Sequence, residues 1–511
     1  PGHRPTSGTM MAGRAQNPPT AHRYLHDIGA IASLDGPLPA SPGVEMNTRT
    51  VDVAIIGAGT AGLTARRAAQ KAGASVVLID PGPYGTTCAR VGCMPSTVLI
   101  PAAEDYHRRK AFEREGIEGS EGLSVDKEEV MEFVRELRDS FVERVHGNNN
   151  KRLKDHMIHG QAEFIKPGQM RVGEDTVNYS SVVIASGSTP VVPAPWQAFS
   201  DRIITTDSLF ELEQLPDSVA VIGLGVIGLE IGQALARLDV AVTGVDMAEQ
   251  IGGIEDPEIH RSVVETLSRE FPLWLGQAAD VTEDGEMLRV TAGENTVQVE
   301  KLLVSMGRKP NLAGMKLENL GIELDPQGVP VYNPNTMQCG DQPVFLAGDV
   351  SGDRPIMHEA GDEGRRAGTN AARDSIQAFR RKTPLAITFC DPNICTAGAT
   401  LSELDPDNIA IGQVNMAPVG RALIMTKNRG LIRVYGDKKT GKLLGASLFC
   451  IKGENLAHLM AWCIQQDLTV FDLLKMPFYH PVIEEALQAA LRDLAAKVED
   501  KPGGMLDIQK L

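Results

Sequence analysis

Two segments of this chain share a pattern that few folds accommodate. Residues 51–56 form an apolar run broken only by Asp52, and Gly57-Ala58-Gly59-Thr60-Ala61-Gly62 follows. Residues 63–72 then read as a helix, and 75–79 as a strand that ends at Asp80. The same order returns at 219–222, Gly223-Leu224-Gly225-Val226-Ile227-Gly228, a helix to about Leu238, and a strand over 241–245 ending at Asp246. Strand, glycine turn, helix, strand, with an acid about 20 residues beyond the glycines, is the order a dinucleotide-binding unit requires. In the first copy Gly57 makes the tight turn, Gly59 lets a pyrophosphate approach the backbone, and Gly62 lets helix meet strand. The helix start offers unpaired N–H groups to the phosphates, and Asp80 is placed to accept ribose hydroxyls. Gly223, Gly225, Gly228 and Asp246 fill the same places in the second copy. A single glycine motif arises by accident in glycine-rich chains, but two copies with correctly placed acids imply two bound dinucleotides. Met247, Ala248, Glu249 and Gln250 follow Asp246 without an arginine to hold a 2′-phosphate, so the second site is expected to take NAD(H) rather than NADP(H).

At 511 residues the chain exceeds what one core holds, so several domains are expected. Fifty Lys and Arg against 66 Asp and Glu give a net charge of -16, which argues against a nucleic-acid partner and against anionic membranes. No uninterrupted apolar run approaches the roughly 18 residues of a membrane-spanning helix, so a small soluble substrate is expected. The seven cysteines are Cys88, Cys93, Cys339, Cys390, Cys395, Cys450 and Cys463. This odd, sparse set points to a reducing cytoplasm, and no CxxC pairing supports a zinc site, so no metal is expected. Residues 1–45 are rich in Pro, Gly, Ser and Ala, lack lysine and show no sustained period. They are expected to be a disordered extension outside any core, reading as upstream sequence rather than as a transit peptide because no amphipathic helix forms. Met46 then looks like a natural beginning.

Between the two glycine units, 125–146 reads as a charged amphipathic helix with Phe133, Leu137, Phe141 and Val145 on its packing face. A short buried strand at 181–185 runs into the turn Ser186-Gly187-Ser188-Thr189-Pro190, and another at 302–306 closes on Gly307. A third strand, 344–347, runs into Gly348-Asp349, with a helix from His358 onward. From about Pro384 the pattern changes to strands at 431–434 and 443–450 and helices at 455–466 and 483–496, a third domain of mixed type.

Directly after the first unit stands Gly85-Thr86-Thr87-Cys88-Ala89-Arg90-Val91-Gly92-Cys93-Met94-Pro95-Ser96-Thr97. Two cysteines five apart on a regular helix lie about 7.5 Å apart along its axis, too far for a disulfide, so a bridge needs a distorted turn, which Gly92 and Pro95 can supply. A dithiol beside a flavin can exchange two electrons with it through a thiolate. Cys390 and Cys395 repeat the spacing away from any nucleotide unit and read as small buried hydrophobes. Near the C-terminal end, His480-Pro481-Val482-Ile483-Glu484-Glu485 offers an imidazole with a carboxylate five residues on.

On these residues the chain resembles the class I pyridine nucleotide-disulfide oxidoreductases, and most of all their dihydrolipoyl dehydrogenase branch, from about Met46 to Val498. The resemblance implies an α/β fold of two Rossmann-like dinucleotide-binding domains, for FAD and NAD, plus a C-terminal α+β dimerisation domain. The implied bounds are 46–192 with 311–382 for FAD, 193–310 for NAD and 383–511 for dimerisation. It implies that Cys88 exchanges with the substrate and Cys93 faces the flavin, with Thr87 and Thr97 close by. His480 becomes the acid-base oriented by Glu485, supplied across a homodimer, because a thiolate nucleophile needs a partner for its proton. Gly160, Ser186, Gly187, Asp349 and His358 are implied FAD neighbours, while Gly307 borders NAD.

Three positions depart from the family pattern. Its motif ends Pro-Ser-Lys, where this chain has Pro95-Ser96-Thr97, and the missing lysine is the expected cation partner of Glu230 beside the flavin. Thr86 replaces a glycine and Arg90 an asparagine. The expected reaction is dihydrolipoamide plus NAD+ to lipoamide plus NADH through a Cys88–Cys93 disulfide, on a small dithiol or a protein-borne lipoyl group. The alternatives are an NAD(P)H-dependent reductase of another disulfide, or a flavin-bearing partner or regulatory protein weakened by Thr97. Glutathione reductase is disfavoured by Asp246, mercuric reductase by the lack of a C-terminal cysteine pair, and a transhydrogenase would not need Cys93.

Overall fold

The strand of the first glycine unit, Thr48–Ile56, lies inside a seven-stranded sheet. On one side it pairs in parallel with Val76–Asp80, which pairs in turn with Met157–His159. On the other it runs parallel to Asp175–Ile184, whose second half carries Val344–Leu346, also parallel. The first half of Asp175–Ile184 instead continues antiparallel into Gln169–Val172 and Ala162–Lys166. Val53 and Ile55 pack on one face of this sheet, Ala54 and Ile56 on the other, and all four are buried. Burial on both faces explains why the sequence here is a continuous apolar run rather than an alternation. The computed structural model describes residues 47–153 and 156–503, so the expectation for residues 1–45 falls outside the described residues.

The second glycine unit heads a five-stranded parallel sheet ordered Leu273–Leu275, Ala241–Asp246, Ser218–Ile222, Lys301–Val304, Ile203–Ile204. A three-stranded antiparallel sheet, Asp280–Asp284, Met287–Ala292 and Asn295–Val299, covers part of it. The chain enters and leaves this unit through two short strands that pair with each other, Ser188–Pro190 and Arg308–Pro310. The C-terminal part is a five-stranded antiparallel sheet ordered Leu385–Thr388, Asn393–Gly398, Leu443–Cys450, Leu431–Asp437, Ile409–Asn415. The helices Gly453–Gln465 and Glu484–Lys497 pack against it over a shared apolar core. The result is an α/β molecule with two Rossmann-like units and a C-terminal α+β domain.

The expected face of the helix between the glycine units holds only in part: Phe141 and Val145 pack against buried clusters, but Phe133 and Leu137 do not. The helix runs Lys127–Leu153, and Met131, Val134 and Arg138 face inward, whereas Phe133 is 48% and Leu137 36% exposed. Four-residue steps advance about 40° each around a 3.6-residue helix, so a long row of them leaves the packing face. The arginine on the true face is satisfied there: its guanidinium donates to Asp139 Oδ1, Glu211 Oε1 and the Phe210 carbonyl. Among the described residues no helix is long and apolar enough to cross a membrane.

Candidate active site

Each glycine turn is built the same way. A Cβ at Gly62 would lie 1.8 Å from the Gly57 carbonyl oxygen, and one at Gly228 2.0 Å from that of Gly223, so helix and turn touch through backbone alone. Gly57 and Gly223 have φ of +105° and +96°. Gly59 and Gly225 instead face open space, with nothing within 4 Å of an added Cβ. The helices that follow, Thr60–Lys71 and Val226–Arg237, have no side-chain cap, which leaves their first N–H groups available to a phosphate. The acids close each turn from the neighbouring strand. Asp80 accepts from the Ala58 and Gly82 N–H groups at 2.5 and 2.7 Å, and Asp246 from those of Leu224 and Ala248 at 2.6 and 2.8 Å. In the Ala185-Ser186-Gly187 turn beside Gly57, the Ser186 hydroxyl is buried without a partner, a polar atom suited to a bound polar group. An open glycine, free helix N–H groups and an orphaned hydroxyl fit a dinucleotide.

The two cysteines lie on either side of a helix break. Cys88 sits in the short helix Thr87–Val91 and Cys93 is the first residue of Cys93–Phe112; Gly92 between them has φ -127° and ψ -120°, outside helical space. Thr86 caps the first helix, its Oγ1 accepting from Ala89 N at 3.2 Å, and holds an unusual φ of +62°. Both thiols are free, Cys88 half-buried and Cys93 exposed. The Cys88 thiol donates to the Cys93 sulfur, and this hydrogen bond holds Cys93 below the ordinary thiol value. The same contact, with burial, pushes Cys88 up. A sulfur at the start of a 20-residue helix also meets the positive end of its dipole. The pair is therefore asymmetric, with Cys93 the more readily ionised of the two thiols.

The charges of two carboxylates, Glu230 and Asp349, oppose ionisation of Cys93. Asp349 follows Gly348 and accepts from the Ser188 hydroxyl at 3.2 Å, which ties it to the crossing strands, where Arg308 Nε donates to the same hydroxyl. Glu230 lies on Val226–Arg237, half-buried, with Oε1 accepting from Phe389 N at 2.7 Å. Burial pushes its carboxyl up to about 7. Thr97 does not reach it as a cation would; its hydroxyl turns back to the Cys93 carbonyl at 2.6 Å.

Two turns further along the same helix, Arg237 is buried in a charge network that joins the second unit to the C-terminal domain. Its guanidinium donates to both Glu270 oxygens at 2.7 and 2.8 Å and to Asp391 Oδ2 at 3.0 Å, and Lys427 meets that Asp391 oxygen at 3.0 Å. Gln233 exchanges hydrogen bonds with the backbone of Asp391. Beside them burial, aided by the Arg237 charge, drives His107 down to about 4. Phe389, Gln233, Arg237 and Asp391 were not among the residues expected from sequence. The Phe389 contact uses a backbone N–H, 159 residues from Glu230, and leaves no side-chain signal to read.

The structure forms the His480–Glu485 pair but does not join it to the cysteines. His480 Nδ1 lies 2.8 Å from Glu485 Oε1, and the other Glu485 oxygen accepts from Val482 N. The His480 side chain is 81% exposed, and no hydrogen bond or ion pair among the described residues connects it to Cys88 or Cys93. Thr87 and His358 are exposed. Gly160 N donates to the Asp80 carbonyl, while Gly187 and Gly307 have φ of +72° and +95° with open space around them.

Comparison with known proteins follows the same division of the chain. Residues 51–364 match the family model described as pyridine nucleotide-disulphide oxidoreductase, and residues 385–491 match its dimerisation domain. The chain is 30% identical over 466 residues to dihydrolipoyl dehydrogenase 2 of Haloarcula marismortui, covering 87% of this chain and 96% of that protein. It is 28% identical over 470 residues to mercuric reductase of Streptomyces lividans, covering 88% and 97%. Among solved structures, the HOCl-induced flavoprotein disulfide reductase RclA from Escherichia coli, in its Cu(II) complex, superposes with a TM-score of 0.76 at 24% identity. That match covers 88% of this chain and all of the other, a likeness of fold.

Proposed function

The chain belongs to the pyridine nucleotide-disulphide oxidoreductases, whose cofactors are FAD and NAD(H), and on that premise we propose an NAD-linked dithiol dehydrogenase acting on dihydrolipoamide, free or protein-borne. The observation that carries the reading is the asymmetric Cys88–Cys93 pair. In this reading 46–192 with 311–382 hold FAD, through Gly57, Gly59, Gly62, Asp80, Gly160, Ser186, Gly187, Asp349 and His358. Residues 193–310 hold NAD through Gly223, Gly225, Gly228, Asp246 and Gly307, and 383–511 make the dimer. Large exposed apolar side chains on that last part, Ile424, Trp462, Met476 and Tyr479, support a second copy as the partner. Seven free cysteines support a reducing cytoplasm as its place.

The chemistry begins with the disulfide form. One substrate thiolate attacks Cys88, and Cys93 leaves as the thiolate that its hydrogen bond and helix position stabilise. The second substrate thiolate then closes the substrate disulfide and releases Cys88. Two electrons thereby enter the cysteine pair, and the two substrate protons pass to His480 of the partner subunit and to the pair itself. FAD, held by the residues named above, would supply the two-electron acceptor between the cysteine pair and NAD+. The Asp349 and Glu230 charges oppose ionisation of Cys93.

The test is a comparison of substrates on the FAD-loaded protein: dihydrolipoamide with NAD+, and glutathione disulfide or mercuric ion with NADH. The dihydrolipoamide reaction should be faster than either by about 100-fold, a gap of about 2.7 kcal/mol in barrier. Turnover with one of the other two and none with dihydrolipoamide would refute the assignment. One observation favours a second reading, a flavin-bearing protein of weak turnover: Glu230 has no cation where the family pattern supplies lysine. That reading predicts a protein that NADH reduces but that turns over none of the three.

A further inference from the structure

The turn that carries Asp349 is held at both ends by one arginine. After the strand Val344–Leu346 the chain passes through Gly348, a short helical turn at Asp349–Ser351, and Gly352 to Asp353. Gly348 has φ +82° and ψ -161°, a region that glycine alone enters readily. A Cβ added there would lie 2.9 Å from that of Ala61, at the start of the first nucleotide helix. The Gly348 N–H donates to Glu363 Oε2 at 2.8 Å, on the helix Met357–Ala371. Glu363 is fully buried, and among the described residues Arg381 is the one cation paired with it, donating through Nη2 to Oε1. The same Nη2 reaches Glu359 Oε2 at 3.2 Å, and Nη1 donates to Asp353 Oδ2 at 2.6 Å. One guanidinium therefore grips Asp353 directly and the Gly348 N–H through Glu363. Its Nε is buried without a partner, a desolvation cost set against three carboxylates.

Both supports of this clamp are themselves fixed. Helix Met357–Ala371 is pressed onto Thr60–Lys71 through backbone: a Cβ added at Gly364 would lie 2.1 Å from the Ala61 oxygen, and one at Gly368 2.1 Å from that of Ala65. The segment bearing Arg381 is anchored on either side of it. Arg366 Nη2 donates to the Arg380 carbonyl at 3.2 Å, and Lys382 pairs with Asp362 at 2.8 Å. The Thr383 N–H donates to Gln465 Oε1 at 2.7 Å, on the helix Gly453–Gln465 of the C-terminal domain. The Asp349 side chain has one described hydrogen bond, Oδ2 accepting from Ser188 at 3.2 Å, so the direction of its other oxygen follows the turn. An ionised carboxylate only accepts hydrogen bonds, which suits it to the hydroxyls of a ligand.

We propose that Arg381 is a positioning residue of the flavin site: by holding both ends of the 348–353 turn it sets the Asp349 carboxylate toward the hydroxyl-bearing chain of FAD. The arginine acts through Glu363 and Asp353 and forms no contact with the cofactor itself. Because its segment is tied to Gln465, the fit of the flavin also depends on how the C-terminal domain is seated. Lysine at this position would keep the charge but, as a single point, would not hold Asp353 and Glu363 together. The inference rests on the reading in which Asp349 faces FAD.

The experiment leaves turnover aside. Full-length proteins carrying Arg381→Lys, Arg381→Met or Asp349→Asn are compared with the parent for FAD affinity by flavin fluorescence, visible circular dichroism of the bound flavin, and urea midpoint. Arg433→Met serves as the control, since it breaks a buried ion pair with Asp256 that involves none of these elements. Asp349→Asn should weaken FAD by about tenfold, as loss of a hydrogen bond to a charged group does. Both Arg381 variants should weaken FAD by a similar factor and change the flavin dichroism. Arg433→Met should lower the urea midpoint yet leave both flavin readouts at the parent's values, which separates positioning from lost stability. Arg381→Lys keeps a cation beside the buried carboxylates and decides the matter if Arg381→Met fails to fold. Parental affinity and dichroism in the Arg381 variants, or a flavin loss as large in Arg433→Met, overturn the proposal while leaving the reading of Asp349 intact. Parental FAD binding in Asp349→Asn overturns both.

Discussion

Adding one methyl group at Gly59 and one at Gly62 should damage the protein in opposite ways. At Gly62 the new Cβ would stand 1.8 Å from the Gly57 oxygen and 3.0 Å from its carbonyl carbon, both backbone atoms. The helix Thr60–Lys71 would have to lift off its strand, at the upper end of the roughly 1–3 kcal/mol that overpacking costs, or beyond it. At Gly59 nothing lies within 4 Å and the backbone, φ -75° and ψ -173°, suits any residue. Alanine is a poorer helix N-cap than glycine by up to about 1 kcal/mol, but it restricts the unfolded chain by about 0.4–1 kcal/mol in compensation. Gly59→Ala should therefore leave the urea midpoint of the apoprotein almost unmoved while weakening FAD binding by at least about tenfold, 1.4 kcal/mol. Flavin fluorescence titration of the apoproteins gives the affinity. Gly225→Ala and Gly228→Ala should repeat the contrast with NADH as the ligand. A Gly59→Ala protein that binds FAD as tightly as the parent would refute the argument that the open glycine is where the pyrophosphate sits.

Arg237→Met should cost about 3–5 kcal/mol in urea unfolding, because Glu270 and Asp391 would stay buried with only part of their compensation. The same variant should change the acid limb of stability. Burial pushes Glu270 up, but the Arg237 hydrogen bonds and charge outweigh it and set the carboxyl below its ordinary value; Asp391 is likewise low, against burial, through Lys427 and Arg237. Such depressed groups stabilise above the ordinary carboxylate range and lose that contribution as pH falls through their folded values, a loss that should flatten without Arg237. At Thr86, with φ +62° and ψ +146°, a β-branched residue carries strain of about 1–3 kcal/mol. Thr86→Gly relieves the strain and Thr86→Ala does not, although both lose the cap to Ala89, so thermal unfolding should rank the glycine variant above the alanine. His480→Gln should slow dihydrolipoamide oxidation by about 100-fold or more while leaving reduction of the bound flavin by NADH intact in stopped flow.

The two nucleotide units were legible because everything that specifies them is local: apolar strand, glycine turn, helix and terminal acid follow within one stretch of chain. Where strands were read short, the missing part alternates. Asp175–Ile184 begins six residues before the apolar run at 181, in a half where buried Val177 and Tyr179 are separated by Asn178 and which has parallel Thr48–Ile56 on one edge and an antiparallel hairpin on the other. The helix Lys127–Leu153 misled because its exposed face carries phenylalanine and leucine while its buried face carries an arginine. The cysteine segment stood out by its place after the first glycine unit, and the His480–Glu485 pair only through the family resemblance, since a lone histidine near a carboxylate carries no signal of its own. What compensates Glu230, and what does not, depends on a backbone N–H of Phe389 and on charges drawn from other elements, so no local pattern announces it.

The central claim is that Cys93 is the thiolate that faces the flavin. Titrating the FAD-loaded protein with NADH under anaerobic conditions tests it most directly. The account predicts a new long-wavelength absorption as NADH opens the Cys88–Cys93 disulfide and the Cys93 thiolate forms beside oxidised flavin, absent in Cys93→Ser and present before any NADH is added in Cys88→Ser. An absorption that survives Cys93→Ser, or flavin that NADH reduces without any such band in the parent, would contradict it.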